Sequence, residues 1–322
     1  DAFAIQSDIA QKIVAAVGAN LTSGEQQGLA KAPTANAEAY RLFMQGEEYR
    51  QRPGAMRQNL ESAQQLYERA LALDARFALA HASLSFVHGR IYWFRYDPDP
   101  RRADLEIREA EAALRLAPDE PRAHWAMGMA YYWARRDYQS ALGELKIAAE
   151  KLPGSAELWN YVGLANRRLG HWDQALVAFE KASVLDPRDA DLFWDLGGNT
   201  YRVLHRYPEA VAAYSHALAL APDLGDADLR RALVYVSWQG RLDSLRATLA
   251  RGSESYGYSG SAVQWRVRLA LWERNADALL ALLAAQPKRV IFDSQERYEP
   301  GLLYAGWAHQ LQGNRAAARD AF

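Results

Sequence analysis

Apolar side chains recur along this chain at three- and four-residue intervals, and nowhere does a strand-like two-residue alternation compete with that spacing. The pattern predicts amphipathic helices throughout. The helical runs are themselves periodic. Pro118, Pro153, Pro187 and Pro222 each follow such a run, at intervals of 35, 34 and 35 residues. Three further columns keep step: Trp125, Trp159 and Trp194; Ala141, Ala175 and Ala210; Leu145, Phe179 and Tyr214. A period of this length means one supersecondary unit used repeatedly, each copy burying its apolar face against the next.

The clearest unit reads Trp159, Gly163, Gly170, Trp172, Ala175, Phe179, Ala182, Pro187. Gly163 and Ala175 suit the crossing of two helices, where a large side chain would push the axes beyond the usual separation of about 8–10 Å. Trp159 and Phe179 fill the flanking space. Gly170 suits the left-handed residue that ends a first helix, and Pro187 stops the second. These residue types in this order resemble the tetratricopeptide repeat. In the neighbouring unit Met129 stands where the repeat usually has Gly.

The resemblance implies an all-α fold, a right-handed superhelical solenoid of about eight helical hairpins. The expected units are 36–76, 77–118, 122–153, 156–187, 191–222, 226–252, 260–287 and 299–322, the last ending inside its second helix, so that more chain is expected beyond it. Residues 288–299 read as a connector and 251–260 as a loop.

Ahead of the repeats, residues 1–35 form a separate segment. Phe3, Ile5, Ile9, Ile13, Val14, Val17 and Leu21 lie on one helical stripe, and Thr22 and Glu25 form a capping box for a second short helix. The first helix is either a cap on the first hairpin or the end of another domain. Asp1 to Ala10, with Thr34 and Ala39 to Gly46, resembles the junction found in bacterial signalling proteins that join a winged-helix, nucleotide-cyclase or Ser/Thr-kinase domain to a TolB-like domain and then to tetratricopeptide repeats. That resemblance implies an effector domain upstream of residue 1.

Composition narrows the chemistry. Half of the 322 residues are hydrophobic, and 38 Lys and Arg face 39 Asp and Glu. The net charge of -1 supplies no basic field for phosphates, so nucleic acid is not expected as a direct partner. The longest apolar run, Ala278 to Ala285, is too short to span a bilayer, which needs roughly 18 residues or more. The chain reads as soluble. A cytoplasmic location is favoured, and a periplasmic one follows if a membrane span lies upstream. Cysteine is absent, phosphate-binding loops are missing, and the closest histidine pair, His81 and His88, lacks a third ligand. Neither a cofactor, a metal nor catalysis is expected.

What remains is recognition of a protein or peptide. In a tetratricopeptide superhelix the first helices line the inner groove, and positions one, five, eight and nine after the Trp159 column face it. That spacing selects Asn160, Leu164, Arg167 and Arg168, then Asn199 and Arg202, with Trp133 and Trp238 as aromatic anchors in neighbouring units. Asparagine can bond a peptide backbone through donor and acceptor, and guanidinium suits carboxylates. The expected ligand is therefore an acidic or carboxylate-bearing segment. The alternative is a regulatory region that controls an attached adenylate cyclase, kinase or DNA-binding domain.

Overall fold

The computed structural model describes residues 8, 12, 33–52, 56–224, 226–251, 262–285, 290–293 and 298–322. Most of the expected N-terminal segment, the turn at Pro53 and Gly54, and the loop 252–260 lie outside these residues. The chain divides into two compact units, Asp1–Leu185 and Asp186–Phe322.

Among the described residues, unit 1 contains four helical hairpins. They pair α1 (Ala37–Arg50) with α2 (Arg57–Leu73), α3 (Ala78–Trp93) with α4 (Arg101–Leu116), α5 (Pro121–Ala130) with α6 (Tyr138–Lys151), and α7 (Ala156–Arg168) with α8 (Trp172–Leu185). Unit 2 pairs α9 (Ala190–Asp195) with α10 (Tyr207–Leu220), α11 (Ala227–Gln239) with α12 (Asp243–Ala250), α13 (Ala262–Trp272) with α14 (Ala276–Ala284), and α15 (Gly301–Leu311) with α16 (Arg315–Ala321). The expected class, tandem helical hairpins, is the observed one. One expectation fails in the connector, where Val290–Asp293 and Tyr298–Pro300 form a short antiparallel strand pair. The β-branched and aromatic run Val290-Ile291-Phe292 is too short for a helix and suits an extended backbone.

Several first helices start where a side chain can accept the free backbone N–H groups of the first turn. Asn36 accepts from Glu38 and Ala39, Ser155 from Leu158, and Asp189 from Leu192. Every fully described turn after a first helix contains a left-handed residue. Gly170, Gly240 and Gly313 have φ of 76°, 66° and 75°, and Arg95, Arg136, His205 and Arg274 take the same place in the other turns at 53–59°. The repeat geometry thus imposes a backbone conformation that L-residues resist, and in four hairpins packing overrides that resistance.

The hairpin crossings follow one plan. A Cβ on Gly163 would lie 2.6 Å from the Phe179 ring, on Gly46 2.5 Å from Tyr67, on Gly306 2.5 Å from Phe322, and on Gly198 against the Tyr214 hydroxyl. Ala175 and Ala210 are fully buried beside them. In α5 the place belongs to Gly128, where a Cβ would be 2.8 Å from Leu145, and not to the next residue, Met129. Met129 is itself fully buried.

The α3–α4 crossing departs from this plan. Gly89 provides the space, but the side chain entering it is Glu106, where the other crossings use Tyr, Leu or Phe. Glu106 is fully buried, and neither carboxyl oxygen has a hydrogen-bond partner. Burial pushes its pKa well above the ordinary 4.5, so the folded state favours the protonated carboxyl. The folded state holds a proton that the unfolded state loses above about pH 4.5, so this group's contribution is intact below that pH and is lost as pH rises through the folded-state pKa. Denaturant melts of Glu106→Gln across pH 4 to 8 are expected to show a flatter pH dependence than wild type and higher stability at pH 8.

Candidate functional site

In unit 1 the first helices α1, α3, α5 and α7 contribute to one face, and its centre is a connected series of charges. Arg122 on α5 lies 3.7 Å from Glu47 on α1, and Arg50, one turn along α1, pairs with Glu47 at 3.2 Å. Arg50 reaches Glu157 on α7 at 3.7 Å, and Glu157 meets Arg90 on α3 at 3.7 Å. The signs alternate from one cation end to the other. The series ties the first hairpin to the fourth, which lie more than a hundred residues apart in sequence.

Glu47 is almost fully buried, a position that costs several kcal/mol unless the charge is well partnered. Its partners are the hydroxyls of Tyr67 and Ser83, each donating at 2.6 Å, and Arg50. Burial pushes its pKa upward, but Arg50, Arg122 and the two hydroxyls more than offset this and hold it below 4.5. Burial likewise works against the Arg50 cation, and Glu47 with Glu157 outweighs it.

Aromatic rings enclose this series. Phe86 packs edge-on to Trp125, Trp133 and Tyr161 at 5.7, 5.0 and 5.8 Å, and Trp133 meets Tyr161 at right angles. The guanidinium groups of Arg50 and Arg90 stand 5.3 and 5.0 Å from the Phe86 ring. Such contacts contribute roughly 0.5–1 kcal/mol when exposed and about 2 or more when desolvated.

The groove residues expected from sequence fall into three groups. Trp133 is a correction: only 4% of it is exposed, and it belongs to the unit 1 core. The cause is a π-helical turn at Tyr131–Arg135. It holds one more residue than an α turn, so Trp133 within it does not take the angular position counted with the 3.6-residue period. The same device, at Leu196–Tyr201, precedes Arg202 in unit 2.

The second group lies on α7. On α7, Leu164 and Arg168 follow Glu157 and Tyr161 at helical spacing, with Asn160 and Arg167 along one edge. Leu164 packs against the core cluster that contains Trp133 and Tyr161. Arg168 is exposed yet held: its guanidinium lies 5.7, 6.0 and 5.7 Å from the rings of Trp93, Tyr132 and Tyr138, and its Nε donates to the Tyr132 hydroxyl at 3.1 Å. Arg167 lies over the Phe179 ring at 5.8 Å.

The third group is in unit 2. Asn199 Nδ2 donates to Asp195 at 2.9 Å, and Arg202 Nε donates to the Gly198 carbonyl at 3.3 Å. Trp238 is 42% exposed, and its ring runs nearly parallel to those of Tyr207 and Tyr235. Sequence reasoning missed Arg50, Arg90, Arg122, Glu47 and Glu157. Their common signal was the positions of charged residues on first helices, which looks no different from a solvated face until the hairpins are stacked.

His81 and His88, the pair weighed as metal ligands, make other contacts. His81 Nδ1 lies 2.5 Å from Glu109, and His88 Nδ1 lies 2.9 Å from Arg102. Among the described residues no helix is long and apolar enough to cross a membrane.

Residues 156–189 match the tetratricopeptide repeat family, which places the best-formed hairpin, α7 with α8, inside that repeat. A 142-residue stretch, 42% of this chain, is 31% identical to Putative adenylate cyclase 3 of Rhizobium meliloti (strain 1021), of which it covers 23%. A 202-residue stretch, 58% of this chain, is 26% identical to Superkiller complex protein 3 of Mus musculus, covering 13% of it. The chain thus spans less than a quarter of the length of these curated relatives. Among solved structures it is similar to TTC0263, a thermophilic TPR protein of Thermus thermophilus, at 20% identity and a TM-score of 0.49, covering 62% of this chain and 99% of that one.

The inward placement of Trp133 has a measurable consequence. Truncation of a large core aromatic costs about 3–5 kcal/mol. Trp133→Ala is expected to lose stability of that order in urea denaturation, whereas a groove-facing tryptophan would cost less than about 1 kcal/mol.

Proposed function

We propose that this chain is a non-catalytic docking module that holds a segment of another protein against the first-helix faces of its hairpins, with a preference for acidic segments. The observation that carries the reading is Arg168. It is an exposed cation that three aromatic rings and a tyrosine hydroxyl hold in place before any ligand arrives. A side chain already ordered loses less conformational entropy on binding, so more of its interaction energy appears as affinity. Arg167 beside it, and Asn160 along the same edge of α7, add charge and amide chemistry to that surface. In unit 2, Asn199, Arg202 and the exposed Trp238 stack offer a cation, an amide and an aromatic anchor of the kind that dominates binding energy at interfaces.

A second reading has its own support. The similarity to part of Putative adenylate cyclase 3 favours a region that regulates an attached cyclase, kinase or DNA-binding domain. If the natural gene product carries such a domain, deleting the hairpins should change its basal activity, and unchanged activity would contradict regulation.

The docking reading is tested with arrayed acidic peptides and their Lys-substituted counterparts. Arg167→Gln/Arg168→Gln should stay folded, since neither residue is buried, and should lose at least tenfold in affinity for the acidic set. Wild-type binding should also weaken as salt rises from about 0.05 to 0.5 M, over which the Debye length falls from more than about 10 Å to about 4 Å. Equal binding of both peptide sets by wild type and variant would move the docking surface off α7.

A further inference from the structure

The charge series across α1, α3, α5 and α7 is incomplete as an ion-pair cluster. It contains three guanidinium groups, Arg50, Arg90 and Arg122, and two carboxylates, Glu47 and Glu157. Of the four ion pairs, only Arg50 with Glu47 has hydrogen bonds, at 3.2 and 3.4 Å; the other three stand at 3.7 Å. Charge-assisted N–H···O bonds in satisfied clusters are about 2.7–2.9 Å long. The cluster therefore has one uncompensated positive charge and guanidinium N–H groups not matched to a carboxylate oxygen. Placing cations in partly buried surroundings is costly unless acceptors complete their shells.

Beside this cluster lies a cavity of about 50 Å³, lined by Glu47, Arg50, Ser83, Phe86, Arg122 and Trp125 among others. Arg122 is its exposed member, with 43% of its side chain accessible. Trp125 gives the cavity an apolar wall, and its indole N–H is buried without an acceptor.

We propose that this cavity is a receptor for a single carboxylate group of the docked segment, bound by Arg122 from the solvent side and by Arg50 from below. The assignment rests on the docking reading for the source of the carboxylate and deepens it by naming the group recognised. A carboxylate contributes one negative charge, which neutralises the excess, and its planar pair of oxygens matches the guanidinium fork. The single excess positive charge favours this over a phosphate, whose larger negative charge would exceed it. The neighbouring carboxylate of Glu47 sharpens the choice, because a doubly charged anion would meet stronger repulsion from it.

The test uses the whole chain, labelled with ¹⁵N, and follows the Trp125 indole N–H resonance, assigned by its disappearance in Trp125→Phe. Sodium acetate, sodium phosphate and sodium chloride are titrated at matched ionic strength, followed by one acidic peptide from the array. The expected result is a saturable shift of the Trp125 resonance with acetate and none with chloride. Arg122→Gln, at an exposed position, should weaken the acetate response at least tenfold while the helical circular-dichroism spectrum shows the fold retained. An acetate response no larger than that to chloride, or one equal in Arg122→Gln, overturns the receptor. A stronger response to phosphate overturns the choice of carboxylate. A peptide that shifts α7 resonances but leaves Trp125 unmoved overturns the receptor and leaves docking on α7 intact, whereas a peptide that moves neither contradicts both.

Discussion

The structure depends on how closely two helices of a hairpin approach at one point. Where they cross, one helix offers no side chain and the other inserts a large one, as with Gly163 and Phe179 or Gly46 and Tyr67. Helix axes at close separation leave no room for a second side chain there. That contact fixes the rotation of each helix about its own axis, and the rotation decides which residues are buried and which face outward. Buried Ala175, Ala182, Ala210 and Ala217 and the left-handed turn residues follow from the same crossing. Each hairpin buries only part of its apolar surface alone, and stacking on its neighbour buries more.

Within unit 1 the consequence is a first-helix face that is neither an open polar groove nor a plain core. Four aromatic side chains and five alternating charges meet there from four hairpins. The aromatic rings shield Glu47, Arg50 and Arg90 and so strengthen their charge interactions, while Arg122 and Glu157 stay partly accessible. Glu106 lies at the α3–α4 crossing, where a Cβ on Gly89 would touch both its carboxyl and the Trp133 ring. A titratable group therefore contacts the lining of the same face. Its protonated form is the one compatible with full burial, which connects the crossing rule to the pH dependence of the fold.

The fold was legible because the crossing leaves its mark at fixed spacing. Gly163, Gly170, Ala175 and Phe179 each stand at a place where the hairpin restricts side-chain size or backbone conformation, and the structure puts all four where those restrictions apply. The α3–α4 hairpin was harder to read. The Tyr96 to Pro100 insertion displaces its columns, and a glutamate stands at the crossing where the rule leads one to look for a hydrophobic residue. The π turns have no residue signature of their own, so counting with the α-helical period made an exposed groove residue of Trp133, which is buried, and in the same hairpin the crossing glycine is Gly128, one residue before Met129. The charge series was illegible for a different reason. Arg50 and Glu157 are brought together by the stacking of four hairpins, and nothing local to either residue signals the other. On α7, which contains neither an insertion nor a π turn, counting with the α-helical period gives the spacing of Asn160, Leu164, Arg167 and Arg168 directly.

The most direct measurement compares two glycines in unit 1 helices. Gly143, exposed on α6, has no atom within 4 Å of a Cβ placed on it, whereas Gly163 faces the fully buried Phe179 ring. Helix propensity alone makes Ala better than Gly at either site by roughly 0.5–1 kcal/mol. If the crossing governs the fold, Gly143→Ala raises stability by about that amount, and Gly163→Ala lowers it by about 1–3 kcal/mol through overpacking. Equal stabilisation by both substitutions, measured by urea denaturation with unchanged m-values, would contradict the account.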